Sequence, residues 1–232
     1  IYKLILRPVL FSFPPEYVNN CFLFVGRLLC TNFLTRSLTG FLFNFQNPHL
    51  KQQIAGLTFK NPVGLGAGYD KEGNLINILD KVGFSFAEIG SITFEPYKGN
   101  VPPRLFRLKK SRGIVVNYGL KNNGVNVISK RLLKHRSKKF VIGASIGKTN
   151  SVKTVSEAGG VFDYLESVKI LATNKKVRFL TINISCPNTF GGEPFTNPQL
   201  LKSLLVELDK QNVSKPVFIK MPINLSVLEL DA

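Results

Sequence analysis

From Ile54 onward the chain alternates between two hydrophobic rhythms. Near-continuous apolar, β-branched runs at Asn61–Gly68, Phe86–Thr93, Phe140–Gly147, Phe179–Ser185 and Val217–Met221 predict buried strands. Between them, apolar residues spaced three to four apart predict helices over Asn74–Val82, Val125–His135, Val161–Thr173 and Pro198–Gln211. Strands that are apolar on both faces and alternate with helices predict a parallel α/β sheet. The strands run out into polar, Gly-rich loops: Ala67-Gly68-Tyr69-Asp70-Lys71, Gly90-Ser91, Gly147-Lys148-Thr149 and Ser185-Cys186-Pro187-Asn188. Ligands gather at the carboxyl ends of parallel strands, in closed barrels and open sheets alike, so these loops are the candidate site.

Residues 1–46 follow another pattern. They are rich in Phe and Leu, with one acid (Glu16) and four bases (Lys3, Arg7, Arg27, Arg36). Pro14-Pro15-Glu16 reads as a helix start, with proline in the first turn and an acid at the positive end of the helix dipole. Tyr17, Cys21, Phe24, Val25 and Leu28 then form one apolar stripe, with Asn20 and Arg27 on another face. Phe33, Leu34, Leu38, Phe41, Leu42 and Phe43 continue the theme over Asn32 to Phe45. Two short amphipathic helices of this kind fit either a hairpin packed on its own domain or a monotopic element dipping into a lipid interface. No small-residue cleavage site follows, which argues against a signal peptide. The division is an N-terminal helical extension over 1–50 and a β/α unit over 51–232.

An eight-fold barrel takes about 250 residues, and roughly 180 follow the extension. Five strands therefore mean either an open five-stranded sheet or about the first five βα units of a barrel. The stretch from Leu225 to Ala232 stops where a fifth helix would begin, which favours the barrel.

The 232 residues carry 31 Lys+Arg against 14 Asp+Glu, a net charge of +17. A hydrophobic fraction of 44% excludes a disordered chain. No apolar run reaches the roughly 18 to 20 residues that a spanning helix needs. The bases fall in short clusters, Lys109-Lys110-Arg112, Lys130-Arg131, Lys134-Arg136-Lys138-Lys139 and Lys175-Lys176-Arg178, which read as solvated surface. Neither zinc-finger spacing nor an aromatic RNA-binding signature accompanies them, so nucleic acid is not an expected partner. Three cysteines, Cys21, Cys30 and Cys186, are too few for a disulfide framework and fit a reducing compartment. His49 and His135 lack ligand-like neighbours, so no metal is expected.

The segment Asn183-Ile184-Ser185-Cys186-Pro187-Asn188-Thr189, at the fourth strand's exit, carries the most chemistry. Two carboxamides that both donate and accept suit a ligand with imide or amide groups. A thiol between them could act as a general base, since its ordinary pKa of about 8.5 is within reach of modest tuning. The bland alternative is a buried structural cysteine.

With these residues the chain resembles the dihydroorotate dehydrogenases. Asn61-Pro62-Val63-Gly64-Leu65-Gly66-Ala67-Gly68-Tyr69-Asp70-Lys71 looks like the family's first flavin-contacting strand. Pro102-Pro103-Arg104-Leu105-Phe106-Arg107, Asn117-Tyr118-Gly119-Leu120, Ile146-Gly147-Lys148 and Phe218-Ile219-Lys220 follow in the family's order. Residues 1–46 and Lys98 to Arg107 resemble the membrane-associated, quinone-reducing class. The resemblance implies a (β/α)8 TIM barrel, FMN as cofactor, and oxidation of dihydroorotate to orotate in pyrimidine biosynthesis with electrons passed to a quinone. It implies peripheral membrane contact through residues 1–46, on the cytoplasmic face of a bacterial membrane or on the mitochondrial inner membrane.

The same resemblance assigns roles. Cys186 would take a proton from substrate C5 while hydride leaves C6 for flavin N5. Ala67, Gly68, Tyr69 and Asp70 would line the flavin, Ser91, Ser145 and Asn183 would contact it, and Lys220 would lie near its N1. Lys71 would pair with the substrate carboxylate or the reduced flavin. Asn117, Tyr118, Gly119, Leu120, Asn183 and Asn188 would hold the pyrimidine. The FMN phosphate would sit in strands seven and eight, beyond these residues. Three positions depart from the pattern. The quinone class usually has Ser where Cys186 stands, as in the soluble class. The turn at Asn117 is one residue shorter than usual. Ser145 replaces the family's asparagine. A soluble, cytoplasmic enzyme using fumarate or NAD and a non-catalytic remnant are the alternatives.

Overall fold

The structure is a computed structural model that describes residues 1–137 and 140–223. After a wide turn at Tyr2–Leu6 come α1 (Arg7–Ser12), α2 (Pro15–Thr31) and α3 (Phe33–Phe43). A short antiparallel hairpin follows, β1 (Gln52–Ile54) with β2 (Leu57–Phe59). The repeating part is β3 (Gly64–Leu65), α4 (Ile76–Val82), β4 (Phe86–Ile92), then a second hairpin of β5 (Leu105–Leu108) and β6 (Gly113–Val116). It continues with α5 (Val125–Leu133), β7 (Val141–Gly147), α6 (Glu157–Thr173), β8 (Val177–Asn183), α7 (Pro198–Asp209) and β9 (Val217–Lys220). Strands β3, β4, β7, β8 and β9 form one parallel sheet in chain order, each beside its successor. This is the winding of the first five strands of a β/α barrel, with four intervening helices. The fifth helix expected after β9 falls in 224–232, outside the described residues.

Side chains alternate across the strands. Ile89, Ile142, Ala144, Ile146, Leu180 and Ile182 face the helices and pack with Ile128, Leu132, Val168, Leu171 and Leu204. Each of the Ile, Leu and Val side chains contributes about 1.5–3 kcal/mol when fully buried, so this sheet–helix layer dominates the stability. The opposite face turns to the barrel interior. There Phe86 lies over Gly64 and Phe179 over Gly143, where an added Cβ would enter the rings. Phe218 meets Phe179 edge-on at 5.6 Å, and Phe59 meets Phe86 at 5.3 Å. With Leu57 and Val141 these rings fill the amino-terminal end of the barrel, and the β1–β2 hairpin covers them.

Several element ends differ from the sequence expectation. The first strand shrinks to two residues, because Asn61 binds the backbone itself: its Oδ1 accepts from Val63 N–H and its Nδ2 donates to Gly83 O. The first of the four intervening helices begins at Ile76 rather than Asn74, since Asp70 takes the Asn74 and Leu75 N–H groups. Helix α6 starts at Glu157, not Val161. Ser156 caps it, and Gly160 in its first turns admits the Phe195 ring. Strand β8 ends at Asn183, whose Oδ1 captures Ser185 N–H. Both antiparallel hairpins and the first two turns of the extension carry no periodicity long enough to predict.

The extension packs on its own domain. Gly26 lets Leu75 against α2, and Arg36 is buried with Nη1 donating to Cys30 O at 2.6 Å. Glu16 accepts from Arg104 Nε and Nη2, and Arg107 donates to Phe13 O at 2.9 Å. The face that packs holds Leu23, Leu29 and Cys30. The stripe picked out by spacing (Tyr17, Cys21, Phe24, Val25, Leu28) is exposed instead. Among the described residues no helix is long and apolar enough to cross a membrane.

Candidate active site at the strand exits

A cavity of about 200 Å³ opens at the carboxyl ends of the sheet. Ala67, Gly68, Gly90 and Ser91 border it from the first two strands; Asn183, Ser185, Cys186, Pro187 and Asn188 from β8; and Lys220 from β9. Lys71 and the β6 turn (Val116, Tyr118, Gly119, Leu120) close the remaining side. Five sequence segments up to about 150 residues apart thus meet in one place, as the winding of the barrel requires.

Beneath the cavity three polar side chains form a chain. Asn183 Nδ2 donates to Ser91 Oγ at 2.7 Å, and Ser91 Oγ shares a hydrogen with Ser145 Oγ at 2.8 Å. Ser145 is wholly buried and acts through Ser91 rather than bordering the cavity. Asn183 is fixed from behind by Tyr164, whose hydroxyl donates to Asn183 O at 2.9 Å. At the rim a carboxamide lattice orders the loops. Asn100 Nδ2 donates to Asn117 Oδ1 at 2.8 Å and to Asn188 O at 3.2 Å, while Asn150 Nδ2 donates to Asn100 Oδ1 at 3.1 Å. Asn188 Nδ2 donates to Val116 O at 3.0 Å. Asn117 therefore stands behind the rim, spending its oxygen on Asn100.

Cys186 is half-buried and unpaired in any disulfide. Burial pushes its thiol up; the Asn188 N–H and the Lys220 and Lys148 ammoniums pull it down, and Glu193 opposes them. Lys71 sits with Nζ 4.0 Å from the Tyr118 ring centre, and burial followed by the Lys121 charge lowers its pKa. Asp70 is buried, accepts from Asn74 and Leu75 N–H at 2.8 Å each, and is raised by that burial. It caps the approach to α4 and does not border the cavity. Tyr69 borders a second polar cavity, with Asn19, Asn20 and Arg27 of α2 and Lys71.

The residues fit the ring end of a flavin. A Cβ at Gly66 or Gly68 would meet no atom within 4 Å, and Gly68 has φ +115, so the backbone there is bare toward the cavity. Hydroxyl, carboxamide and ammonium groups of Ser91, Asn183, Lys71 and Lys220 surround it, matching the carbonyls and ring nitrogens of an isoalloxazine. A thiol, two cations and paired carboxamides can hold a planar anionic imide and remove a proton from its carbon. From sequence, Asn100, Asn150 and Tyr164 carry no assigned role, and Lys148 stands in a strand-exit loop and in the Ile146-Gly147-Lys148 motif without a role of its own. The only available signal was their place directly after, or packed behind, a strand exit.

A family model described as dihydroorotate dehydrogenase matches residues 49–232. A protein named dihydroorotate dehydrogenase (quinone) from Christiangramia forsetii is 35% identical over 230 residues, covering 97% of this chain and 66% of its own length. One of the same name from Mycobacterium tuberculosis is 33% identical over 227 residues, covering 98% of this chain and 62% of its own. Among solved structures, the crystal structure of the Eimeria tenella protein DHODH in complex with ferulenol matches at a TM-score of 0.77 and 26% identity, covering 95% of this chain and 64% of that one. The chain thus spans a little under two thirds of the length of these relatives.

Proposed function

Since the chain belongs to the dihydroorotate dehydrogenase family, we propose that it oxidises dihydroorotate to orotate and that the protein of which it forms part hands the electrons to a quinone. The observation that carries this reading is the strand-exit cavity in which Cys186, Lys71, Lys220, Asn183 and Asn188 converge.

FMN is the cofactor the donor set suits, and when bound it supplies the hydride acceptor. Ala67 and Gly68 would let the backbone approach its ring closely, Ser91 and Asn183 would bind it by hydrogen bonds, and Lys220 would place a cation beside it. Lys71 binds the substrate carboxylate. Asn183 and Asn188 orient the pyrimidine, and the lattice through Asn100 and Asn150 keeps Asn188 in place. Positioning of this kind is worth several kcal/mol of barrier. Cys186, as thiolate, removes the proton from C5.

The extension supplies the quinone side. Its outward apolar stripe and the basic chain fit peripheral contact with an anionic membrane, and α2 reaches the cavity wall through the polar pocket beside Lys71. A second reading rests on Cys186 alone, the residue of the soluble class; fumarate or NAD would then replace the quinone.

The test is dihydroorotate-dependent reduction of a soluble quinone with FMN in excess, compared with fumarate and NAD as acceptors. Cys186→Ala is expected to lose on the order of 100-fold or more in turnover. Full turnover in that variant would overturn the base assignment, and reduction of fumarate or NAD alone would overturn the quinone.

A further inference from the structure

Lys148 follows β7 directly and is only 3% exposed. Its Nζ donates to Phe190 O at 2.6 Å, and Phe190 belongs to the loop that carries Cys186. It takes part in none of the ion pairs among the described residues. An ammonium has three donors, and a buried cation with one neutral acceptor among the described residues is costly. Asp163 on α6 accepts from Thr149 N–H at 2.8 Å, and its charge also favours the Lys148 ammonium. Lys148 and Cys186 border the same small cavity behind the loop, together with Tyr164, Asn183 and Thr189.

We propose that Lys148 is a positioning residue for the base: its ammonium pins the 186–192 loop through the Phe190 carbonyl and stabilises Cys186 as thiolate. This rests on the function proposed above. The pinning has a second fastening, since Phe190 N–H donates to Asn150 Oδ1 at 2.8 Å. The pairing is mutual. Burial disfavours the charged form of both groups, and each charge favours the other. The other groups that bear on the sulfur are Lys220 on β9, Glu193 on the same loop, the Asn188 N–H and, on α6, the Tyr164 hydroxyl. Of the two lysines, Lys220 borders the ligand cavity and Lys148 does not, so Lys148 acts on the base without touching substrate. The chemistry is a proton equilibrium only: the thiol proton leaves to solvent and the thiolate remains beside the ammonium.

The test is the pH dependence of Cys186 alkylation by iodoacetamide, read peptide by peptide on the whole chain, with Cys21 and Cys30 as internal references. Lys148→Met is expected to move the Cys186 midpoint upward by about one pH unit, roughly tenfold in thiolate below the midpoint. Lys148→Arg keeps the charge and is expected to hold the midpoint within a few tenths of a unit. The plateau rate at high pH reports loop accessibility separately. An unchanged midpoint in the methionine variant, or an equal shift in the arginine variant, would overturn the pairing. A methionine variant that exposes Cys30 has unfolded, and the arginine variant then decides: a midpoint held at the unaltered value supports the pairing, and one shifted by a full unit refutes it. Absence of dihydroorotate turnover in the full-length protein of which this chain forms part would sink the enzymatic reading while the midpoint shift stood.

Discussion

Asn183 Nδ2 and Ser91 Oγ are 2.7 Å apart although 92 positions separate them in the chain. Their strands, β8 and β4, are not neighbours; β7 lies between, and its Ser145 completes the link. The bond therefore ties three strand ends into one rigid floor. Asn183→Ala removes the donor to Ser91 and the acceptor for Ser185 N–H and Oγ. The expected cost is about 2 kcal/mol, seen as a lower melting temperature by circular dichroism. A loss below about 0.5 kcal/mol would mean that water replaces the carboxamide at no penalty.

Glu16 and Arg104 are largely sheltered, with side chains 18% and 13% exposed. Glu16→Gln leaves the guanidinium facing a neutral partner beside the Tyr118 ring. A loss of about 1–2 kcal/mol is expected, less than the cost of breaking a fully buried pair. Hydrogen exchange localises it: α2 amides should lose protection while β7 and β8 keep theirs. Uniform loss across the sheet would show that the extension and barrel unfold as one unit.

His135 is held neutral, with its pKa lowered to about 4, first by burial and then by the Lys176 charge. One side of the ring is satisfied, Nδ1 lying 2.8 Å from Asn77 Oδ1, while Nε2 is buried with no partner among the described residues. A second proton would find no acceptor among them. The unfolded chain takes up that proton below about pH 6.5 and the folded chain does not until about pH 4. Stability is thus full above pH 6.5 and falls as pH drops through that window. Discounted for partial solvent access, the loss is about 2 kcal/mol. His135→Asn should flatten the urea midpoint between pH 6.5 and 4; an unchanged slope would refute the assignment.

The outward stripe of α2 predicts vesicle binding. Phe24 and Leu28 are 60% and 53% exposed, so replacing both with Ser removes apolar surface without opening a core. Co-sedimentation with anionic vesicles is expected to drop several-fold while the melting temperature holds. Equal binding by the double variant would count against a membrane role for this face.

The sheet–helix repeat was legible because its strands are apolar on both faces and each is flanked by helical spacing, so two periodicities agree. The cavity was legible because every strand exit is polar and the winding brings the exits together. What the spacing could not give was depth. The apolar stripe of α2 is real, yet the face that packs is the one holding Gly26, where a missing side chain admits Leu75. Likewise Asn100 and Asn150 gain their importance from hydrogen bonds to loops 17 to 88 positions away, which no local pattern encodes. Asp70 reads like a ligand contact in its Gly-rich loop, and the structure gives its carboxylate to a helix end.

The rings of Phe86, Phe179 and Phe218, with the β1–β2 hairpin beside them, gather apolar bulk at the strand starts. The two ends of the sheet thus divide their labour: one holds the strands together, and the other is left free to carry the polar groups around Cys186.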